Sequence, residues 1–288
     1  MRYTFLPLLL TFATTFPAMA VGQESAAEAK EPKTQVESPK AKKVAEQEST
    51  WTPPASPDPF QIFHQARRDA GAGRYADALA KHVWFHEHAL EVDESYYGVR
   101  LSYALEAWSE LAKVYPPAKQ KLLETRDQAK ADALTQGDPF NAFSDLQSIN
   151  EVLGQSAITV DVFKVLVKKS RPKARKLFSI AKNDLMAKKE YELCGEFLDP
   201  ETDFAGFKRN YEETVRLAAE PDFGDNLAEF ARKSFTYEVT STVALLVLND
   251  RKQEASELAD KASKVLDTAE FKRSLDEALE GKVPPPWP

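Results

Sequence analysis

Gly73-Arg74-Tyr75-Ala76-Asp77-Ala78-Leu79 reads as a turn followed at once by the start of an amphipathic helix. The same form returns as Lys189-Glu190-Tyr191-Glu192-Leu193-Cys194 and as Asp250-Arg251-Lys252-Gln253-Glu254-Ala255. In each copy a small residue (Ala78, Cys194 or Ala255) follows an aromatic or long one by three positions. At helical spacing that places a short side chain where two helices must approach closely. The expected fold is therefore all-α, a superhelical array of antiparallel helical hairpins.

The second hairpin gives the pattern a family. Trp108-x2-Leu111-Ala112-x2-Tyr115 is similar to the first-helix pattern of the tetratricopeptide repeat, and the Gly73-x-Tyr75-x-x-Ala78 phrase resembles that family's turn and second-helix start. Ile62 and Ala66 fall at the large and small positions of the preceding helix, and Ala259 and Ala262 at later small ones. Lys182 departs from the pattern, standing where the copy around Tyr191 calls for a small residue. The resemblance implies an α-solenoid that holds other molecules and supplies no chemistry of its own.

Asp58-Pro59-Phe60-x-x-Phe63 recurs as Asp138-Pro139-Phe140-x-x-Phe143. Asp accepts the free N–H groups of a first helical turn and Pro needs no partner there, so both phrases predict helix starts. The pattern predicts helices over 59–71, 74–92, 97–115, 117–135, 139–153, 159–169, 172–187, 190–198, 203–219, 225–248, 252–266 and 268–280. Periodicity lapses from Gly154 to Thr159, where a seam between two lobes is expected. Between Phe235 and Val247 alternation and β-branching fit a strand as well as a buried helix, and the repeat register running into Asn249-Asp250 favours the helix.

Residues 1–20 have the basic start, apolar run and Ala18-Met19-Ala20 end of a cleavable secretory signal, with cleavage expected after Ala20. No later stretch reaches the about 20 apolar residues of a membrane span. Residues 21–57 are rich in Ala, Glu, Lys, Pro and Ser and are expected to form a charged, disordered linker. Residues 58–280 form the repeat domain and 281–288 a Pro-rich tail. The 288-residue chain has a formal net charge of -7, which disfavours specific nucleic-acid binding. It carries no Gly-Lys-Ser/Thr phosphate loop and no Gly-x-Ser-x-Gly elbow. Its single cysteine, Cys194, allows no internal disulfide and is expected to be buried as a helix-contact residue.

Three groups of residues are candidates for a site. Lys164, Lys168, Lys169, Arg171, Lys173, Arg175 and Lys176 form an acid-free run that would bind a partner's acidic segment or a polyanion. Tyr96 and Tyr97, at a turn, are the aromatic residues expected to be exposed for contact. His82 and His86 share a helix face and could share a metal ion. The leading reading is an exported, monomeric, non-catalytic scaffold for another envelope or secreted protein or peptide, acting in the periplasm or outside the cell without cofactor or metal. The alternative is a helical metal-binding protein or enzyme using His82 and His86.

Overall fold

A computed structural model describes residues 48–220 and 224–286. The expected signal peptide and all but the end of the expected linker lie outside the described residues, as do the last two residues of the tail. Every regular element among the described residues is helical. In chain order they are α1 (Pro59–Gly71), α2 (Tyr75–Val92), a 3-10 turn (Glu94–Tyr96), α3 (Tyr97–Leu101), α4 (Tyr103–Val114), α5 (Pro116–Thr135), α6 (Phe140–Val152), α7 (Ser156–Lys169), α8 (Arg171–Ala187), α9 (Tyr191–Gly195), α10 (Pro200–Ala218), α11 (Gly224–Leu248), α12 (Lys252–Ser263) and α13 (Ala269–Leu279). The principal backbone contacts join elements no more than three places apart in this order. Neighbour-only packing of this kind is what short loops between antiparallel helices produce.

The three quoted phrases share one backbone corner. Gly73, Lys189 and Asp250 all have left-handed φ values, of 78°, 59° and 59°. The next N–H in each case reaches back five residues, Arg74 to Asp69, Glu190 to Leu185 and Arg251 to Leu246, each at 2.9 Å. This is the Schellman closure, which satisfies helix-end carbonyls that otherwise have no donor. Five residues after each left-handed position stands a fully buried small side chain: Ala78, Cys194 and Ala255. A fourth copy lies at Gly154, with φ of 66°, where the Gln155 N–H meets the Asn150 carbonyl and Thr159 is fully buried. The lapse of periodicity expected to mark a seam is thus one more corner. On the helix before that corner, Ile149 belongs to the apolar cluster of Trp108 and Leu122, while Leu146 belongs to the separate cluster of Phe163 and Leu177.

Helix starts follow the Asp-Pro rule at three places. Asp58 accepts from the Gln61 N–H, Asp138 from the Phe140 N–H and Asp199 from the Thr202 N–H, the last at an Asp-Pro pair that the repeated phrase does not cover. The helix expected over 97–115 is two helices, broken at Ser102 (φ -120°, ψ -94°), whose hydroxyl bonds back to the Gly98 carbonyl. Such back-bonding offers the chain an alternative to the regular ladder. The end of the expected linker is also held. Ser49 Oγ, Thr50 N and Trp51 N all donate to one carboxylate oxygen of Asp77, and the Trp51 ring covers the Lys81 ammonium at 5.0 Å.

The ambiguous stretch is helix α11, and its burial explains the ambiguity. All residues from Val239 to Val243 and on to Leu246 are buried, because α8, α9, α10, α12 and α13 surround this helix. With no solvent face, the helical period disappears from the sequence. The hydroxyls of Thr236 and Thr240 bond carbonyls four residues back, at Arg232 and Thr236, so they cost the core no unpaired polar group. A corner of α9 presses closely on the end of α11: a Cβ placed on Gly195 would lie 2.2 Å from Asn249, whose amide donates to the Tyr191 carbonyl at 2.9 Å.

These corners give a paired prediction for urea denaturation. Asp250→Gly relieves a left-handed L-residue and should stabilise by about 1 kcal/mol. Gly195→Ala forces Asn249 off its carbonyl and should cost about 1–3 kcal/mol. Equal midpoints for the two variants would contradict the corner geometry.

Candidate functional site

The expected basic patch is largely used inside the molecule. Lys169 and Lys173 donate to the carbonyls of Leu134 and Gln136 at 3.3 and 3.2 Å, at the C-terminus of α5. Arg175 donates to the carbonyls of Phe197 and Glu196, just past α9, and Arg171 donates to the Glu196 carbonyl and pairs with the Glu196 carboxylate at 2.6 Å. Both guanidiniums also lie over the Phe197 ring. Lys164 pairs with Glu190 at 2.5 Å, and Lys168 and Lys176 are exposed without a partner among the described residues. Cations complement helix C-termini, so this run of charge ties α7 and α8 to the ends of neighbouring helices.

Tyr96 and Tyr97 are not the exposed pair their turn position predicts. Tyr96 packs edge-on against Phe85 at 5.7 Å, and burial raises the Tyr97 phenol pKa, with Ser144 as its hydrogen-bond partner. The turn folds back over α2 and α6 and leaves both rings half-buried.

His82 and His86 both rest on the Trp108 ring, His82 nearly parallel at 6.4 Å and His86 edge-on at 6.0 Å. Burial first, then the charge of Arg67, lowers His82 to about 4, and burial and then the charge of Arg100 lower His86 to about 3. The Arg100 guanidinium lies 3.2–3.3 Å from both His86 ring nitrogens and pairs with Asp145 at 2.5 Å. A fixed cation at that distance opposes a metal ion. Among the described residues no group of three His, Cys, Asp or Glu side chains gathers in a way that could hold one. Cys194 is fully buried and burial pushes its thiol up to about 12, so little thiolate forms at neutral pH.

The site that the structure assembles lies elsewhere, in a cleft of about 330 Å³ between α8, α10 and α11. Phe178, Phe207, Tyr211 and Phe235 provide its walls. Lys182, the residue that departs from the repeat pattern, stands inside. Its buried ammonium donates to Glu238 Oε2 at 2.9 Å and Thr242 Oγ1 at 3.1 Å, and faces the Phe207 ring at 5.5 Å. Asp203 lines the same cleft, and one of its oxygens accepts from the Asp199 N–H at 3.1 Å. Burial raises the Asp203 carboxyl against the pull of Lys182. Lys182 was legible in the sequence as an anomaly; Asp203, Glu238 and Tyr211 gave no signal, because ordinary charged and aromatic helix residues become a site only when three helices meet.

A second hollow, of about 480 Å³, opens beside α12; Arg251 there pairs with Glu254 and Lys261 with Glu201, and Arg175, Asp199 and Glu257 also line it. No helix among the described residues is long and apolar enough to cross a membrane.

The buried imidazoles predict the acid limb of stability. Their folded pKa values lie below the unfolded value near 6.5, so the unfolded chain takes up protons that the folded chain does not, and stability falls as pH drops through 6.5 toward 4 and 3. Between pH 8 and pH 5 the two together should remove about 4 kcal/mol. A His82→Phe, His86→Gln double variant should lose most of this difference in urea titrations. An unchanged pH dependence would mean that the imidazoles are not buried neutral. No family model, no curated protein and no solved structure matches this chain.

Proposed function

We propose that the protein is an exported, non-catalytic binding scaffold, a right-handed superhelical array of tetratricopeptide-like hairpins that holds another envelope or secreted protein or peptide. The observation that carries this reading is the cleft between α8, α10 and α11. Its walls are aromatic and its few polar groups converge, the usual composition of a binding site. Neighbour-only helix packing and the repeated corners support the array. Arrays need a polar cap, and α13 supplies one: Phe271, Leu275 and Ala278 are buried on one face, while Lys272, Arg273, Asp276, Glu277 and Glu280 are exposed on the other. A capped end favours a monomer. The cleft is a better binding surface than the residue 164–176 run, whose cations are mostly held on helix-end carbonyls.

Affinity capture from an envelope extract, at low and moderate salt, tests this. The unaltered protein should retain a specific protein that a Phe207→Ala, Tyr211→Ala variant loses by at least tenfold. Retention that depends instead on Lys168 and Lys176 and vanishes with salt would move the site to the basic run. Binding that both cleft and patch variants keep would leave neither surface as the site.

A further inference from the structure

The cleft's charge arithmetic identifies what it takes. Its charged side chains are one cation, Lys182, and two carboxylates, Asp203 and Glu238. Lys182 gives two of its three N–H donors to Glu238 Oε2 and Thr242 Oγ1 and faces the Phe207 ring. No described residue donates to the other oxygen of Glu238 or to the other oxygen of Asp203. The neighbouring lysines are committed along their own helices, Lys208 to Glu212 and Lys233 to Glu229.

From this we infer that the cleft binds the basic side chain, Lys or Arg, of an extended peptide segment, the apolar stem lying between Phe207 and Tyr211 and the charged head meeting Asp203 and Glu238. The inference rests on the cleft being the binding site. An anionic ligand would meet two carboxylates against one ammonium that already gives two of its three N–H donors to Glu238 and Thr242. A wholly apolar ligand would strip water from two acceptor oxygens and give nothing back. A cation answers both demands, since carboxylates pair with it and aromatic faces attract it. The space of about 330 Å³ accommodates one long side chain rather than a folded surface.

Panning random displayed peptides on the purified protein, with the Phe207→Ala variant as counter-selection, tests the chemistry directly. Phe207-dependent peptides should carry Lys or Arg at one fixed position. Replacing that residue by norleucine should weaken binding at least tenfold in a titration. Asp203→Asn should weaken it by a similar factor. That variant keeps the acceptor oxygen for the Asp199 N–H, so the start of α10 is retained; Glu238→Gln is the second variant, and its folding is checked by its urea midpoint. Phe207-dependent peptides without a basic residue, or binding that survives both substitutions, would overturn the basic-side-chain inference and leave the cleft as a peptide site. If no selected peptide depends on Phe207, the cleft itself falls, and this inference with it.

Discussion

The close approach of helices at a left-handed corner is the constraint on which the rest of this molecule depends. One residue with positive φ closes the preceding helix with a backbone hydrogen bond five residues back, and a small buried side chain five positions on lets the next helix lie directly against its neighbours. Repeated at Gly73, Gly154, Lys189 and Asp250, this corner sets where the helices stop and which way the next ones leave. Two of the four positions are occupied by residues other than glycine, at a local cost of about 1–2 kcal/mol each. The packing around Cys194 and Ala255 offsets that cost.

Charge serves the same architecture. Helix ends leave carbonyls without donors, and a chain of many short helices has many such ends. Lys169, Lys173 and Arg175 reach from α7 and α8 to the ends of α5 and α9, tying neighbouring hairpins together. Asp69 does similar work in the first hairpin: burial pushes its carboxyl up, but hydrogen bonds from Lys81 and Arg74 outweigh this and hold it below the usual carboxylate range. A run of like charge in such a protein is therefore read first as structural capping. Only Lys168 and Lys176 are left over for other roles.

The cleft contains Lys182, the residue that stood out in the sequence from the expected small-residue pattern. Lys182 stands among α8, α10 and α11, and Glu238 and Thr242 satisfy its ammonium. Desolvating an ion pair gains little stability by itself. Its place among Phe178, Phe207, Tyr211 and Phe235 is what the proposed recognition role rests on.

The sequence by itself determined the helical class, most helix boundaries and the burial of Ala78, Cys194 and Ala255, since those follow from local period, Asp-Pro starts and turn residues. It left part of α11 ambiguous because the stretch from Val239 to Leu246, buried on every side, has no period, and it read Tyr96 and Tyr97 as exposed because a turn says nothing about what folds over it. Tertiary structure alone decided that the basic run caps helix ends, that His82 and His86 flank Trp108 beside a guanidinium, and that Lys182, Asp203, Tyr211 and Glu238 share one cleft. Each of these depends on side chains from different helices meeting in space, and their distance along the chain carries no trace of that meeting.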